Sequence, residues 1–211
     1  MIDFFFKRKK IVVDAFTDNS TTYEHFKIRR STSFLPDWWR AMPMPKGYTL
    51  ENGFTPNTNM RHCTGMIDIY RLGFTVPMWT ETRIVVDPKG ETGGLWQFAD
   101  SQENAGQHHA PQRGAFMPET EYMHLKLMPP WRIKTKESLV WLMFQPTYSF
   151  AAPDQIMILP GTVDFEWGHE PNIQMMFRRL EGRHNLVTIG PGEPLATLMP
   201  LTDRDVELRH H

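Results

Sequence analysis

Three of the nine histidines stand close together in the sequence, at His108, His109 and His124. Neutral imidazole is the commonest metal ligand in proteins. A 2-His-1-carboxylate iron site needs a His-x-Asp or His-x-Glu pair, and the sequence has none. His169 and Glu170 are adjacent, so they would point to opposite faces of a strand. We therefore expect surface histidines without a cofactor, and the alternative is one divalent metal ion at His108, His109 and His124.

The single cysteine, Cys63, cannot form an internal disulfide. It falls on the apolar face of a predicted helix, where a buried and inert thiol is expected rather than a nucleophile. The sequence contains no Gly-x-Ser-x-Gly elbow, no phosphate-binding loop and no dinucleotide fingerprint. These absences exclude the mainstream folds of acyl and phosphoryl transfer.

Tryptophans beside prolines form a third group of candidates. Trp38 and Trp39 follow Pro36, and Trp79 follows Pro77. Such rings stack on a sugar, on a base or on a partner protein, and their alternative role is to pack in the interior. We keep Trp38, Trp39 and Trp79 as candidate interaction residues, although packing is the reading we favour for Trp79.

The elements that must position these residues are mostly strands. Segments rich in β-branched and aromatic residues recur between Pro, Gly, Asn and Asp, which is typical of strands. The 17 prolines leave few windows for a long helix. The predicted strands are Ile11–Thr17, Phe74–Asp87, Leu95–Ala99, Trp131–Thr135, Leu139–Gln145, Ile156–Phe165, Asn172–Arg179, Leu186–Ile189 and Leu195–Leu201.

One helix is predicted over residues 59–72, because Met60, Cys63, Ile67 and Tyr70 recur at spacings of three and four. Asn59 can cap its start and Gly73 its end. A second, short helix is expected over residues 36–41. The sequence thus predicts a mainly β protein with one or two short helices.

Charge and length limit the classes of function that the sequence allows. The chain has 211 residues, with 23 Lys and Arg against 24 Asp and Glu, so its net charge is −1. That balance excludes a general nucleic-acid clamp, and no apolar run reaches the roughly 20 residues that a membrane helix needs. The N-terminal charge order is the reverse of a signal peptide. We expect a soluble single domain over residues 1–211 that is made inside a cell.

The C-terminal third carries the first family resemblance. Its strands and turns resemble, in order, the closing half of the trimeric deoxyuridine triphosphatase and deoxycytidine triphosphate deaminase fold, a β-clip or distorted jelly roll. The matching segments are Trp131–Thr135, Leu139–Pro146, Gly161–Gly168, Asn172–Arg179 and Ile189–Leu198. The resemblance implies a β-clip-like or jelly-roll barrel or sandwich, with residues 1–125 as an elaboration packed on residues 126–202. It also implies assembly as a trimer.

The residues that the family needs for activity are matched less well by this sequence than its order of strands. In the resembled family the aspartate of the Gly-x-Ile-Asp turn holds the attacking water and the following aromatic lies by the deoxyribose, which implies Asp164 and Trp167 as catalytic residues if activity is retained. The phosphate-binding stretch would fall on Pro146-Thr147-Tyr148-Ser149, which has no arginine. A triphosphate bound there would lack compensation of its charge. We therefore expect Asp164 to cap its own turn.

A second resemblance spans the whole chain. The ordered segments resemble uncharacterised proteins of marine tailed phages and of some bacteria. They are Phe16–Asp18, Leu35–Trp39, the helix with Cys63, Val76–Trp79, Trp96–Phe98, His109–Gln112 and Met128–Trp131. This resemblance implies a phage-encoded protein that acts in the host cytoplasm or in the virion.

Two functions follow as hypotheses. The first is a binding and assembly protein without catalysis, either a virion component or an accessory protein, which engages protein partners or itself. The alternative is a metal-dependent hydrolase or oxygenase of a nucleotide or other small molecule, built on a jelly-roll scaffold and using Asp164 or the three histidines.

Overall fold

The structure is a computed structural model of the whole chain. It describes residues 9–43, 49–53, 59–88, 94–99, 105–108, 112, 118, 120–146 and 156–211. His109 and the segment Thr147-Tyr148-Ser149, which the sequence singles out, lie outside the described residues.

Strands dominate the described ranges, which confirms the predicted mainly β class. They are β1 (Ile11–Phe16), β2 (Arg29–Arg30), β3 (Phe74–Pro77), β4 (Thr82–Val86), β5 (Gly94–Phe98), β6 (Ala105–His108), β7 (Tyr122–Leu127), β8 (Arg132–Thr135), β9 (Val140–Phe144), β10 (Ile156–Ile158), β11 (Gly161–Asp164), β12 (Ile173–Arg178), β13 (Asn185–Ile189), β14 (Pro194–Pro200) and β15 (Val206–His210). The helices are α1 (Ser20–His25), α2 (Asp37–Ala41) and α3 (Thr64–Leu72).

The strands form four sheets. Their orders are β15-β1-β8, β10-β12-β7-β6, β11-β9-β14-β3-β2 and β13-β4-β5. Across the described ranges none of these sheets closes into a barrel. Each one combines strands that precede Met128 with strands that follow Pro130. The division into a 1–125 elaboration and a 126–202 half stays a prediction.

Alternation along the strands sets the core. In β1, Ile11, Val13 and Ala15 are buried, while the residues between them face outward. β8 contributes Ile133 and Thr135 to the interior in the same way. Buried residues from all four sheets join these in a common cluster. The outward positions of β1 and β8 are therefore free to build a surface site.

The predicted strand Phe74–Asp87 is two strands, since β3 ends at Pro77 and β4 begins at Thr82. Between them, the backbone of Met78 extends the pairing of β3 with β14 and exchanges hydrogen bonds with the loop before β14. Its N–H donates to the Glu193 carbonyl at 2.8 Å, and the Gly192 N–H donates to its carbonyl at 2.7 Å. The break is thus satisfied by a distant segment.

The helix predicted over residues 59–72 is also interrupted. A 3-10 turn spans Met60–His62, Cys63 has an extended backbone, and α3 follows. The interruption turns the Cys63 side chain to solvent, so the expectation of a buried thiol is wrong. Met60 and Ile67 are exposed as well. Within α3, Tyr70 is the buried residue.

Arg30 fixes the end of α3 to two sheets. Its Nη1 donates to the Leu72 carbonyl at 2.8 Å and its Nη2 to the Val206 carbonyl at 2.6 Å. The guanidinium also lies 4.1 Å from the centre of the Phe74 ring. Gly73 follows at the predicted stop, where an added Cβ would lie 2.6 Å from the Ile69 carbonyl oxygen. A larger residue has no room there.

The second short helix is confirmed as α2, with Pro36 at its N-cap. None of the described helices is long and apolar enough to cross a membrane.

Candidate binding groove

The outward face of the sheet β15-β1-β8 carries a concave surface. Asp14 and Phe16 alternate with the buried residues of β1, so both point outward. The antiparallel register sets Phe16 opposite Arg132 and Asp14 opposite Lys134. An aromatic ring and two cations are thereby brought side by side from positions more than a hundred residues apart.

Two hollows meet on this face and form one groove. The first hollow has a volume of about 680 Å³ and the second about 440 Å³. They share Phe16, Thr17, Asp18 and Arg132 as a common wall. The first extends over Met128, Pro129, Pro130 and Glu170, and the second over Lys134, Trp167 and Gly168.

A tight turn at residues 165–168 presents Trp167 at the end of the second hollow. The Gly168 N–H donates to the Phe165 carbonyl at 3.0 Å, and Gly168 has φ of 72°, a conformation that favours glycine. Arg132 Nε donates to the Gly168 carbonyl at 3.2 Å. The ring of Trp167 is 84% exposed although its turn is tied to β8.

Asp164 supports this turn. Its Oδ1 accepts the Glu166 backbone N–H at 2.9 Å, and its Oδ2 accepts the Ser138 hydroxyl at 2.7 Å. The hydrogen bond from Ser138, helped by the backbone donors, holds the pKa of Asp164 below its usual value. A carboxylate so engaged anchors the turn, which agrees with the expectation that Asp164 caps its own backbone.

His169 completes the support without forming a catalytic pair. Its Nε2 lies 2.9 Å from the backbone carbonyl of Asp164, and its Nδ1 lies 2.9 Å from the carbonyl of Glu170. The Ser138 hydroxyl meanwhile donates to Asp164. These side chains therefore do not form a nucleophile with its general base.

The groove carries charges of both signs. Asp18 and Glu170 line its first hollow, and Arg132 and Lys134 border the second. In the described part of the chain, no ion pair joins any of these four side chains. Two anions and two cations leave the groove neutral but strongly polar.

Phe16 stands at the centre, with one face covered. Its ring stacks on His211 at 4.8 Å between centroids, and His211 Nε2 lies 2.9 Å from Asp14 Oδ1. Asn19, at the edge of the groove, uses its Oδ1 to accept the Thr22 N–H at 2.8 Å and so caps α1. The wall beside Phe16 is fixed by these contacts.

The histidines are brought together in part. His108 and His124 lie opposite each other on β6 and β7 and stack at 4.7 Å with 23° between their planes. Because the nitrogen lone pairs lie in these nearly parallel ring planes, they do not converge on one ion. His124 Nε2 also lies 2.8 Å from Gln174 Oε1. Among the residues described, no group of three metal-ligating side chains occurs.

The tryptophan candidates separate by exposure. Trp39 is 6% exposed and packs on Tyr70 at 5.6 Å, and Trp79 is 3% exposed and stacks on Phe98 at 6.0 Å. Both rings fill the interior, which agrees with the packing role that we favour for Trp79 and places Trp39 in the packing alternative as well. Trp38 is 40% exposed and keeps its place as a candidate.

The sequence singled out Trp167 only through the family resemblance, and it gave no role to Phe16, Arg132, Lys134 or Glu170. Alternation of charged and apolar residues in Arg132-Ile-Lys134-Thr135 was the available signal for an outward charged face. No local signal pairs that strand with β1.

No protein-family model matches this chain, and no curated protein or solved structure matches it.

Proposed function

We propose that this chain is a binding and assembly protein without catalytic activity, and that the groove beneath Trp167 is its binding surface. The resemblance to tailed-phage proteins supports a role as a virion component or as an accessory protein in the host cytoplasm. The observation that carries the proposal is the largely exposed indole of Trp167 on a hydrogen-bonded turn. It stands next to a groove whose charged side chains form no ion pair in the described part of the chain.

The energetics favour a surface that a binding partner covers. Tryptophan and arginine are enriched at the centres of protein interfaces, where burial of a large ring contributes most of the affinity. A turn held by Gly168, Arg132 and Asp164 loses little conformational entropy on binding. The charges around the ring orient a partner and exclude wrong ones.

The site chemistry supports binding over hydrolysis. Asp164 is engaged by Ser138 and by the Glu166 backbone, and the Trp167 ring extends away into solvent. We expect no release of pyrophosphate from deoxyuridine triphosphate or deoxycytidine triphosphate. Turnover that disappears in Asp164→Asn would contradict the proposal.

Infection supplies the functional test. In a phage that encodes this chain, Trp167→Ala should lower the infectious titre by about ten-fold or more, because a central interface aromatic is lost. Leu186→Ala is the matched control, since Leu186 is 62% exposed and does not line the groove. An unchanged titre in Trp167→Ala would contradict the role of the groove. Mass spectrometry of purified particles then separates a virion component, present in them, from an accessory protein.

A metal-dependent hydrolase or oxygenase is the second candidate, favoured by the approach of His108 and His124. It requires one of these rings to rotate so that both nitrogens face one ion. Calorimetric titration with Zn²⁺, Mn²⁺ and Fe²⁺ tests it, with the double variant His108→Ala/His124→Ala as control. Binding that survives in the control would remove these histidines from the candidates.

A further inference from the structure

We propose that the groove binds a second copy of this chain across a two-fold axis, so that Trp167 of each copy enters the first hollow of the other. This inference rests on the proposed function, because it takes the groove to be a binding surface. It identifies the first partner in assembly by its shape and charge.

The projecting Trp167 side chain and the first hollow, which we call the recess, lie on one face of the molecule. Trp167 borders the second hollow, and the first hollow opens directly beside it across the shared wall of Phe16, Asp18 and Arg132. When a surface carries both members of a complementary pair next to each other, a two-fold axis between them satisfies both at once. A head-to-tail contact would use each member in a separate interface.

The first hollow has room for an indole and is apolar in part. Its volume is about 680 Å³, and Met128, Pro129, Pro130 and Phe16 line it beside the charged Asp18, Arg132 and Glu170. A tryptophan ring buries roughly 150–250 Å² when it is enclosed, and the exposed ring of Trp167 has almost all of that area to lose. Two such insertions would form the apolar centre of the interface.

The charges are self-complementary under the same operation. Lys134 borders the Trp167 end of the groove, and Glu170 borders the recess at the other end. With Trp167 of one copy in the recess of the other, Lys134 of the first copy faces Glu170 of the second, and the reverse pair forms equally. Asp18 and Arg132 lie in the shared wall, so charges of both signs also stand near the axis.

Sedimentation equilibrium from low concentration to about 100 μM tests the association. The wild type should show a reversible monomer–dimer equilibrium that weakens as salt is added, because exposed charge pairs are screened. Trp167→Ala should raise the dissociation constant by about ten-fold or more. Leu186→Ala should stay within about two-fold of the wild type, as expected for a surface substitution outside the interface.

A charge exchange identifies the geometry. Lys134→Glu and Glu170→Lys should each weaken the homodimer, because each variant sets like charges opposite each other twice. Mixing the two single variants should produce a heterodimer, since both cross-pairs become opposite in sign. The double variant Lys134→Glu/Glu170→Lys should dimerise again. Circular dichroism of each variant checks that the fold is intact.

The proposal is overturned by any of three results. These are a monomer over the whole concentration range, a trimer, or a dimer that neither Trp167→Ala nor the charge exchange alters. The infection assay is independent of these outcomes. A loss of titre in Trp167→Ala beside a monomeric wild type would reject the second copy as partner and keep the groove as a binding surface.

Discussion

Two regions of this molecule expose aromatic and apolar side chains, and they differ in what surrounds those side chains. At the Trp167 turn, the ring stands beside two hollows lined by unpaired charges. At the helical corner, which comprises α2, the 3-10 turn Met60–His62 and α3, Trp38 and Ile67 are exposed, but they line neither of those two hollows. Exposure of an apolar ring alone therefore does not make a site. Singly exposed apolar residues are normal on protein surfaces.

The two regions are also held differently. The Trp167 turn is fixed by hydrogen bonds to Gly168 and Asp164, which leave its ring unburied. The helical corner is fixed by burial of Trp39 against Tyr70, outside the main core cluster, and by Arg30 at the end of α3. The helical corner buries the Trp39 ring in its packing, whereas the Trp167 turn leaves its ring exposed.

Replacing Trp39, the buried ring of the helical corner, should give the largest change in the free energy of unfolding. Trp39→Ala removes a side chain that is almost fully enclosed, so we expect a loss of roughly 3 kcal/mol in the free energy of unfolding. Trp38→Ala is the matched control on the neighbouring residue and should cost less than about 1 kcal/mol, because its ring is partly exposed. Urea denaturation of both variants measures the difference. Equal losses would erase the distinction between packing and exposed aromatic residues at this corner.

The carboxylate under the Trp167 turn should have a smaller effect, and one that depends on pH. Because the pKa of Asp164 is lowered in the folded protein, its stabilisation is present above the usual aspartate pKa and is lost as the pH falls through the lowered pKa. Asp164→Asn keeps an oxygen that can accept the Glu166 N–H but loses the charge. The wild type should therefore be more stable than this variant at neutral pH, and the gap should narrow as the pH falls below the usual aspartate pKa of about 3.9.

Thermal unfolding of wild type and Asp164→Asn across this pH range measures the gap. Ser138→Ala is the companion variant. Its stability should depend less on pH than that of the wild type, since it lacks the main cause of the lowered pKa of Asp164. A gap that stays constant from neutral to acidic pH would show that the charge of Asp164 does not support the turn.

The thiol at the helical corner should give the smallest effect on stability. Cys63 is exposed, so Cys63→Ser should change the free energy of unfolding by less than about 0.5 kcal/mol. A maleimide should react with Cys63 in the native protein as fast as in the urea-denatured protein. Labelling that requires denaturation would place the thiol in the interior, as the helical spacing alone predicted.

The sequence predicted well the features that a local pattern encodes. The β-branched and aromatic residues of Ile11–Thr17 located β1, and Pro36 located the start of α2. The motif around Asp164 correctly indicated a turn carboxylate. β15 was missed, because Val206-Glu-Leu-Arg-His210 is short and its parallel partner β1 lies almost the whole chain away.

The errors share a physical cause. Cys63 lies at a helical spacing from Met60 and Ile67, but the capped 3-10 turn at Asn59 interrupts the helix before the spacing can act. Trp39 stands in a cluster that the sequence offered for contact, yet Tyr70 comes from another helix and packs against it. A spacing rule describes the faces of a continuous element, whereas breaks and distant neighbours are set by the rest of the fold.

By itself the sequence determined the mainly β class, because alternation and proline spacing act on backbone conformations a few residues at a time. The groove was decided by tertiary structure alone. Its wall joins Phe16 to Arg132 through the register of β1 with β8, and Trp167 is added by a turn that bonds to β8. Strand register depends on which faces are buried together, a property of the assembled sheets that no local segment specifies.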